Sequence, residues 1–308
     1  SPQPAAPAAP DSSASGATGT PVYMPPPPPA AATPAAAPKW YIARDQLEIG
    51  EFIGNGSFGG VYRGRLSGTA VAIKMANPRL APAQKDALMR EAELMHQLPP
   101  HPNVVQFFGA CVDAKGILIV LELCTGGSLD RYVEAHPDLP VPVRRALLRD
   151  VAAGMSHLEA RSYLHGDLAL RNVLLRRTAE GVVAVVADFG LSRELHDAVR
   201  AQHSLTAGAV LPLPWLAPEV FTSHRYSAAS DVWSFGVVAW ELFSNGARPY
   251  GDNATPDWLY QHVVRDKKTL ARPALCPADL WDRVIAPCFA YNPAARPSFA
   301  TLERSLRA

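Results

Sequence analysis

The sequence predicts an α+β fold, with strand signals crowded into its first part and helical signals dominating the rest. Apolar, β-type runs at 47–54, 71–74, 104–108 and 117–121 read as strands; the last is apolar throughout, as a buried strand should be. Segments 84–98 and 144–160 carry apolar residues at near-helical spacing: Leu88, Leu94, Met95 and Leu98 in the first, Leu147, Val151, Met155 and Leu158 in the second. Residues 231–243, DVWSFGVVAWELF, are apolar nearly all round, the pattern of a helix buried on every side.

The chain has 308 residues, 48% hydrophobic and 19% charged, which suits one or two soluble globular domains. A formal net charge of +1 gives no electrostatic case for nucleic acid as a partner. The four cysteines, Cys111, Cys124, Cys276 and Cys288, include no C-x-x-C pair, so reduced thiols in the cytosol or nucleus are expected rather than disulfides or a zinc site. The expected location is cytoplasmic. No uninterrupted apolar run reaches the ~18 residues a membrane span needs, and no signal peptide is evident. Because the chain opens on Ser1 rather than Met, the reading leaves room for an upstream region carrying a span or another domain.

Residues 1–38 form a Pro/Ala-rich tail with 12 of the 30 prolines and no lysine or arginine before residue 39. Such a segment cannot bury enough apolar surface to offset the entropy of ordering, so disorder is expected, with polyproline II at Pro25 to Pro29. A tether is the favoured role; the other is a ligand for SH3, WW or EVH1 domains, although the basic residue that often flanks SH3 ligands is missing. Tyr23 is open to modification, with nothing further to support it.

Order is expected from Trp40 onward. After the first strand comes GNGSFGGVYRG, with Gly54, Gly56 and Gly59 in G-x-G-x-x-G spacing. Glycines allow tight turning and close backbone approach to phosphates. β-type residues continue at Phe58, Val61 and Tyr62, so a strand–loop–strand hairpin is expected rather than the helix a dinucleotide fold would open; alone, the signal equally fits an ordinary glycine-rich hairpin. Lys74 then sits in the apolar run VAIK, where a lysine is costly unless paired, and Glu91 and Glu93 on the following helical segment are available carboxylates. His101-Pro102-Asn103 breaks the chain before the next strands.

The stretch HGDLALRNVLL, His165 to Leu175, is followed by VVAVVADFG, which ends in Asp188, Phe189 and Gly190. One carboxylate near a substrate hydroxyl and two oxygen ligands for Mg²⁺ are what metal-assisted phosphoryl transfer requires. Asp188 and Glu219 are 31 positions apart, and so long a connection inside a compact domain is usually functional. It ends in LPWLAPE; NPAARPSF near the C-terminus supplies Arg296.

Taken in order, these blocks resemble the protein kinase family over about residues 47–308, closest to tyrosine kinases: the glycine-rich loop, VAIK, the helix glutamate, D-L-x-x-x-N, DFG and APE, supported by D-x-W-S-F-G and R-P-S-F. The resemblance implies a two-lobed fold, a small five-stranded antiparallel sheet with one helix (about 47–120), a hinge (about 121–126) and a larger, mostly helical lobe (about 127–308), within a kinase domain spanning 39–308. It implies ATP and Mg²⁺ in the cleft and a protein substrate. Gly54, Asn55, Gly56, Ser57, Phe58 and Gly59 would cover the phosphates, and Lys74, held by Glu91, would pair the α and β phosphates. Val61 and Ala72 above and Leu174 below would sandwich the adenine, beside the gatekeeper Leu121 and the backbone of Glu122 and Cys124. Asn172 and Asp188 would hold Mg²⁺. Asp167 would accept the hydroxyl proton, and Arg171 would place charge near the transferring phosphoryl. Asp231 would hold the catalytic-loop backbone, and Arg296 would pair with Glu219.

The acceptor is read as tyrosine. Ala169 stands where serine/threonine kinases carry lysine, Arg171 supplies the cation, and Pro212 of PLPW matches a tyrosine-kinase platform. Pro214 departs from that pattern, where lysine or arginine is common. W-x-I at Trp40 to Ile42 and FGAC at 108–111 resemble serine/threonine or dual-specificity enzymes of the tyrosine-kinase-like group, which is the second reading. Gly166 replaces the arginine usual before the catalytic aspartate, and this motivates a third: a pseudokinase scaffold.

Overall fold

The computed structural model describes residues 38–56, 59–76, 82–113, 116–188 and 212–307. Five strands, β1 (Leu47–Gly56), β2 (Gly59–Leu66), β3 (Thr69–Met75), β4 (Phe107–Asp113) and β5 (Gly116–Glu122), make one antiparallel sheet in the order β1-β2-β3-β5-β4. Between Leu66 and Thr69 the turn residues Ser67 and Gly68 have φ of 46° and 86°, the left-handed pair that suits a two-residue hairpin. Helix α1 (Pro82–Gln97) covers the sheet with Leu88, Ala92 and Met95 buried.

The strand expected at 104–108 is displaced. β4 begins at Phe107, while Val104 and Val105 turn toward the other end of the molecule: Val104 bridges Val186, and Val105 donates its N–H to the Val186 carbonyl at 2.9 Å. The apolar run cannot reveal this, because Val104 and Val105 are buried either way. Beside them Asn103 donates to Ala184 O at 3.0 Å and accepts from Val186 N at 2.9 Å. Gly154 lets helix α3 (Val141–Glu159) come this close: a Cβ there would lie 2.3 Å from the Asn103 carbonyl oxygen.

The remainder is mostly helical. Helix α2 (Leu129–Ala135) and α3 pack beneath a two-stranded ribbon, β6 (Val173–Thr178) and β7 (Gly181–Val186). The expected stripe on α3 is buried, Leu147, Val151, Met155 and Leu158 all at 1% exposure or less. Helix α4 (Pro218–Ser223) leads to α5 (Ala228–Phe243), which buries 13 of its 16 residues. That matches the all-round apolar sequence and makes α5 the axle of the lobe. Ser227 caps its start, accepting from Ser230 N while the Ser230 hydroxyl accepts from Ser227 N. At its other end the buried Arg144 donates to Leu242 O and to Asn245 Oδ1, the latter at 2.6 Å. Among the described residues no helix is long and apolar enough to cross a membrane.

Candidate active site

The first turn of α5 fixes the backbone of the loop that opens at His165. Asp231, 2% exposed, accepts the N–H groups of His165 at 2.8 Å and Gly166 at 2.9 Å. Burial pushes its carboxyl up to about 6, while these two bonds pull it back toward the charged form. Gly166 lies at φ +74°, in the left-handed region where a side chain is strained. The departure from the usual motif therefore falls where the backbone favours glycine.

His165 is fully buried and neutral, its pKa lowered by desolvation. Nε2 lies 3.0 Å from Ala187 O, and Nδ1 accepts from Asp167 N at 3.3 Å, so the proton is assigned to Nε2. This imidazole ties the loop to the residue before Asp188.

Two linked groups of polar side chains result. Asp167 accepts from Arg171 Nη2 at 2.6 Å through Oδ1 and from Asn172 Nδ2 at 2.9 Å through Oδ2. Asn172 also donates to Asp167 O at 2.7 Å. In the second group Lys74, 6% exposed, donates to Asp188 Oδ1 at 2.8 Å. A backbone bond from Ala187 N to Asn172 O at 2.9 Å joins the groups. Asp188 has φ +56°, a strained conformation for a non-glycine residue and one that recurs at functional sites.

The other end of α5 holds a further set. Glu241 accepts Leu170 N at 3.0 Å and Trp215 Nε1 at 2.9 Å, and burial pushes its carboxyl up to about 7. Ser234 donates to Trp215 O at 2.8 Å, and the Arg171 guanidinium carbon lies 4.6 Å from the centroid of a Trp215 ring. Trp215, the last residue of the segment Pro212 to Trp215, is thereby fastened to α5 and to Arg171, the partner of Asp167. Glu241 escaped the sequence reading, although it is one of only two carboxylates, with Asp231, in an otherwise apolar helix, a signal that could have found it.

The residues expected around a nucleotide fall on neighbouring strands. Gly54, Val61, Lys74 and Ile119 stand abreast across β1, β2, β3 and β5, and Ala72 pairs with Leu121. Leu174 bridges Ser128 just after the hinge. Leu121, Cys124 and Leu174 are half-buried against the main core. The Cys124 thiol is pushed up to about 12 by burial, with Glu122 adding to the effect, so it packs as a neutral group. Asn55 is exposed, and Gly59 is half-buried at the opposite side of the hairpin tip from Gly56. Ser57, Phe58, the side chain of Glu91, Phe189 and Gly190 lie outside the described residues, as do the tail with Tyr23 and Pro25 to Pro29 and the whole of the 189–211 connection. Glu93, the other carboxylate on α1, is exposed and accepts from the buried Trp40 indole.

The donor chemistry suits a small hard cation. Asn172 commits its amide nitrogen to Asp167, which leaves its amide oxygen, together with the Asp188 carboxylate, as oxygen donors. Mg²⁺ typically takes one or two such protein ligands and completes its shell with phosphate oxygens and water.

The model for protein tyrosine and serine/threonine kinases matches residues 47–306. The chain is 36% identical over 272 residues to the tyrosine-protein kinase transforming protein Fps of avian sarcoma virus (strain PRCII), covering 87% of this chain and 49% of that protein. It is 35% identical over 272 residues to human tyrosine-protein kinase Fer, covering 87% and 32%. With mouse tyrosine-protein kinase ZAP-70 it is 36% identical over 275 residues, covering 87% and 43%. The chain thus spans half or less of the length of these relatives. With the two-lobed architecture and this match over residues 47–306, the chain belongs to the protein tyrosine and serine/threonine kinase family.

Proposed function

We propose that this chain is an ATP-dependent protein kinase domain that transfers the γ-phosphoryl group to a tyrosine hydroxyl of a protein substrate, acting in the cytoplasm. The observation that carries the reading is the Asp167 carboxylate held between Arg171 and Asn172, one backbone bond away from the Lys74–Asp188 pair. Asp167 orients the hydroxyl and takes its proton. Lys74 and the glycine-rich loop bind the phosphates, with Glu91 steadying Lys74. Arg171 offers positive charge beside the transferring group. Val61, Ala72, Leu121 and Leu174 enclose the adenine, and the backbone of Glu122 and Cys124 meets its edge. Asn172 and Asp188 would hold Mg²⁺, whose chemistry is to neutralise the phosphate oxygens. Catalysis is then positioning plus charge stabilisation. The fastening of Trp215, at the end of the Pro212 to Trp215 segment, by Glu241, Ser234 and Arg171 supports a phenol as acceptor, because it steadies an aromatic residue next to the Arg171–Asp167 pair. Pro25 to Pro29 are proposed as a secondary ligand for a proline-binding domain.

Labelled phosphate should enter poly-Glu-Tyr with the wild-type chain and not with Lys74→Met. Phosphoamino-acid analysis should return phosphotyrosine. Phosphoserine or phosphothreonine alone would overturn the choice of acceptor, and no incorporation by the wild type would favour a binding scaffold.

Gly166 bears on control. An arginine before the catalytic aspartate commonly pairs with a phosphorylated residue on the segment that follows. Here that residue is glycine, and 188–219 contains no tyrosine. Dephosphorylating the purified chain should therefore leave kcat within about twofold, where loss of a charge-paired phosphate would cost far more. Strong activation on phosphorylation of Ser204 or Thr206, both outside the described residues, would contradict this.

A further inference from the structure

Strand β6 runs from Leu174, proposed as the floor of the adenine site, to an arginine that none of the kinase motifs accounts for. Arg176 reaches back to the hinge. Nε and Nη2 donate to the two carboxylate oxygens of Glu122, the latter at 2.9 Å, and Nη1 donates to Pro102 O at 2.8 Å. Glu122 is the last residue of β5. Its N–H donates to Gln106 O at 2.9 Å, and its Oε2 lies 3.4 Å from Gln106 N. One guanidinium therefore joins the hinge, the turn at 101–103 and the strand beneath the purine.

The pair is more than an exposed ion pair, which typically contributes little. The Arg176 side chain is 30% exposed and that of Glu122 18%, and the contact is bidentate with a third bond to a carbonyl. The planar fork fixes the orientation of Glu122 as well as its charge. In return, the carboxylate raises the pKa of the guanidinium. The neighbouring Cys124 thiol is neutral and does not compete for it.

We infer that Arg176 is a positioning residue for the nucleotide: it acts through Glu122 to hold the hinge peptide in register with the purine edge. The inference rests on the kinase reading above. The groups around the transferring phosphoryl, Lys74, Asp167 and Asp188, are held by other contacts, so the effect falls on nucleotide affinity and spares the chemical step.

The test uses the full 308-residue chain. A fluorescent ADP analogue is titrated into wild type, Arg176→Lys, Arg176→Met, Glu122→Gln and the Arg176→Met/Glu122→Gln double variant, with ATP KM and kcat measured on poly-Glu-Tyr. Arg176→Met should weaken ADP and raise ATP KM about tenfold, the equivalent of one charge-assisted contact, with kcat within about twofold. Arg176→Lys, which keeps the charge and loses the fork, should fall between and carries the test should Arg176→Met not fold. The double variant should be no weaker than Arg176→Met alone, because both changes remove one interaction. Unchanged ADP affinity in folded Arg176→Met and Arg176→Lys, or a fall in kcat and melting temperature with affinity preserved, overturns the inference and leaves the kinase reading intact. Absence of ADP binding by the wild type instead overturns the kinase reading, and this inference with it.

Discussion

Asp167→Asn should lower turnover on a tyrosine peptide by about 10²- to 10⁴-fold, the usual contribution of a positioned general base. The asparagine has the same shape, and its amide oxygen can still accept from Arg171 or Asn172. It cannot accept from both in the present geometry, because Oδ1 takes Arg171 and Oδ2 takes Asn172. One donor is left facing an amide N–H, a cost on the order of 1 kcal/mol, too small to unfold a domain of this size. ATP KM should change little, because Lys74 and Asp188 lie in the neighbouring group. The combination of collapsed kcat, preserved ATP KM and preserved melting temperature separates loss of the base from loss of the site. Steady-state kinetics and a thermal melt read all three, and undiminished turnover would remove Asp167 from its assigned role.

What the sequence reveals here is what local pattern can carry. The role of Asp231 is legible only through the resemblance to kinases, whereas the axle helix it opens is legible because an apolar run with no polar face can only be buried. Lys74 is legible as a buried cation for the same reason. Its contact with Asp188, 114 positions away, is not something a local pattern can show, and the side chain of Glu91, the partner the resemblance implies, lies outside the described residues. Arg176 carries no signal at all, since a basic residue near a strand end ordinarily faces water; its partner Glu122 is 54 positions earlier. Glu241 and Leu170 are 71 positions apart. The misplacement of the strand at 104–108 has a related cause. Val104 and Val105 satisfy burial by meeting Val186, and hydrophobicity does not say which neighbour buries a residue. Gly166 shows the reverse: it breaks a motif in the sequence, and its φ of +74° makes it a residue the backbone accepts readily.

Arg296→Met should destabilise the domain by about 3–5 kcal/mol, the range for removing one member of a buried ion pair. The Arg296 side chain is 0% exposed and that of Glu219 21%. The two form a fork, Nη1 to Oε1 at 2.6 Å and Nη2 to Oε2 at 2.8 Å. Arg296 also donates to Ala229 O and Ala290 O, both at 2.8 Å, and its guanidinium lies 5.1 Å from the centroid of a Trp233 ring. Removing it strands the carboxylate and two carbonyls together. The partial exposure of Glu219 lets water reach its carboxylate, which places the loss toward the lower end of the range. Arg296→Lys keeps the charge but cannot make the fork or reach all the acceptors, so it should recover only part of the loss. Glu219→Leu alone strands the arginine, whose two carbonyl acceptors remain, and should cost less than Arg296→Met. The double variant should then be more stable than the sum of the two single losses, since neither charge is left alone. Denaturant unfolding of wild type and the four variants measures each term. Single losses below about 1 kcal/mol, or strict additivity, would mean that the fork behaves as a surface pair despite its burial. Because Glu219 lies in the first turn of α4, four residues after Trp215, the same variants should also raise the peptide KM more than the ATP KM. The ion pair then supports the substrate platform as well as the fold.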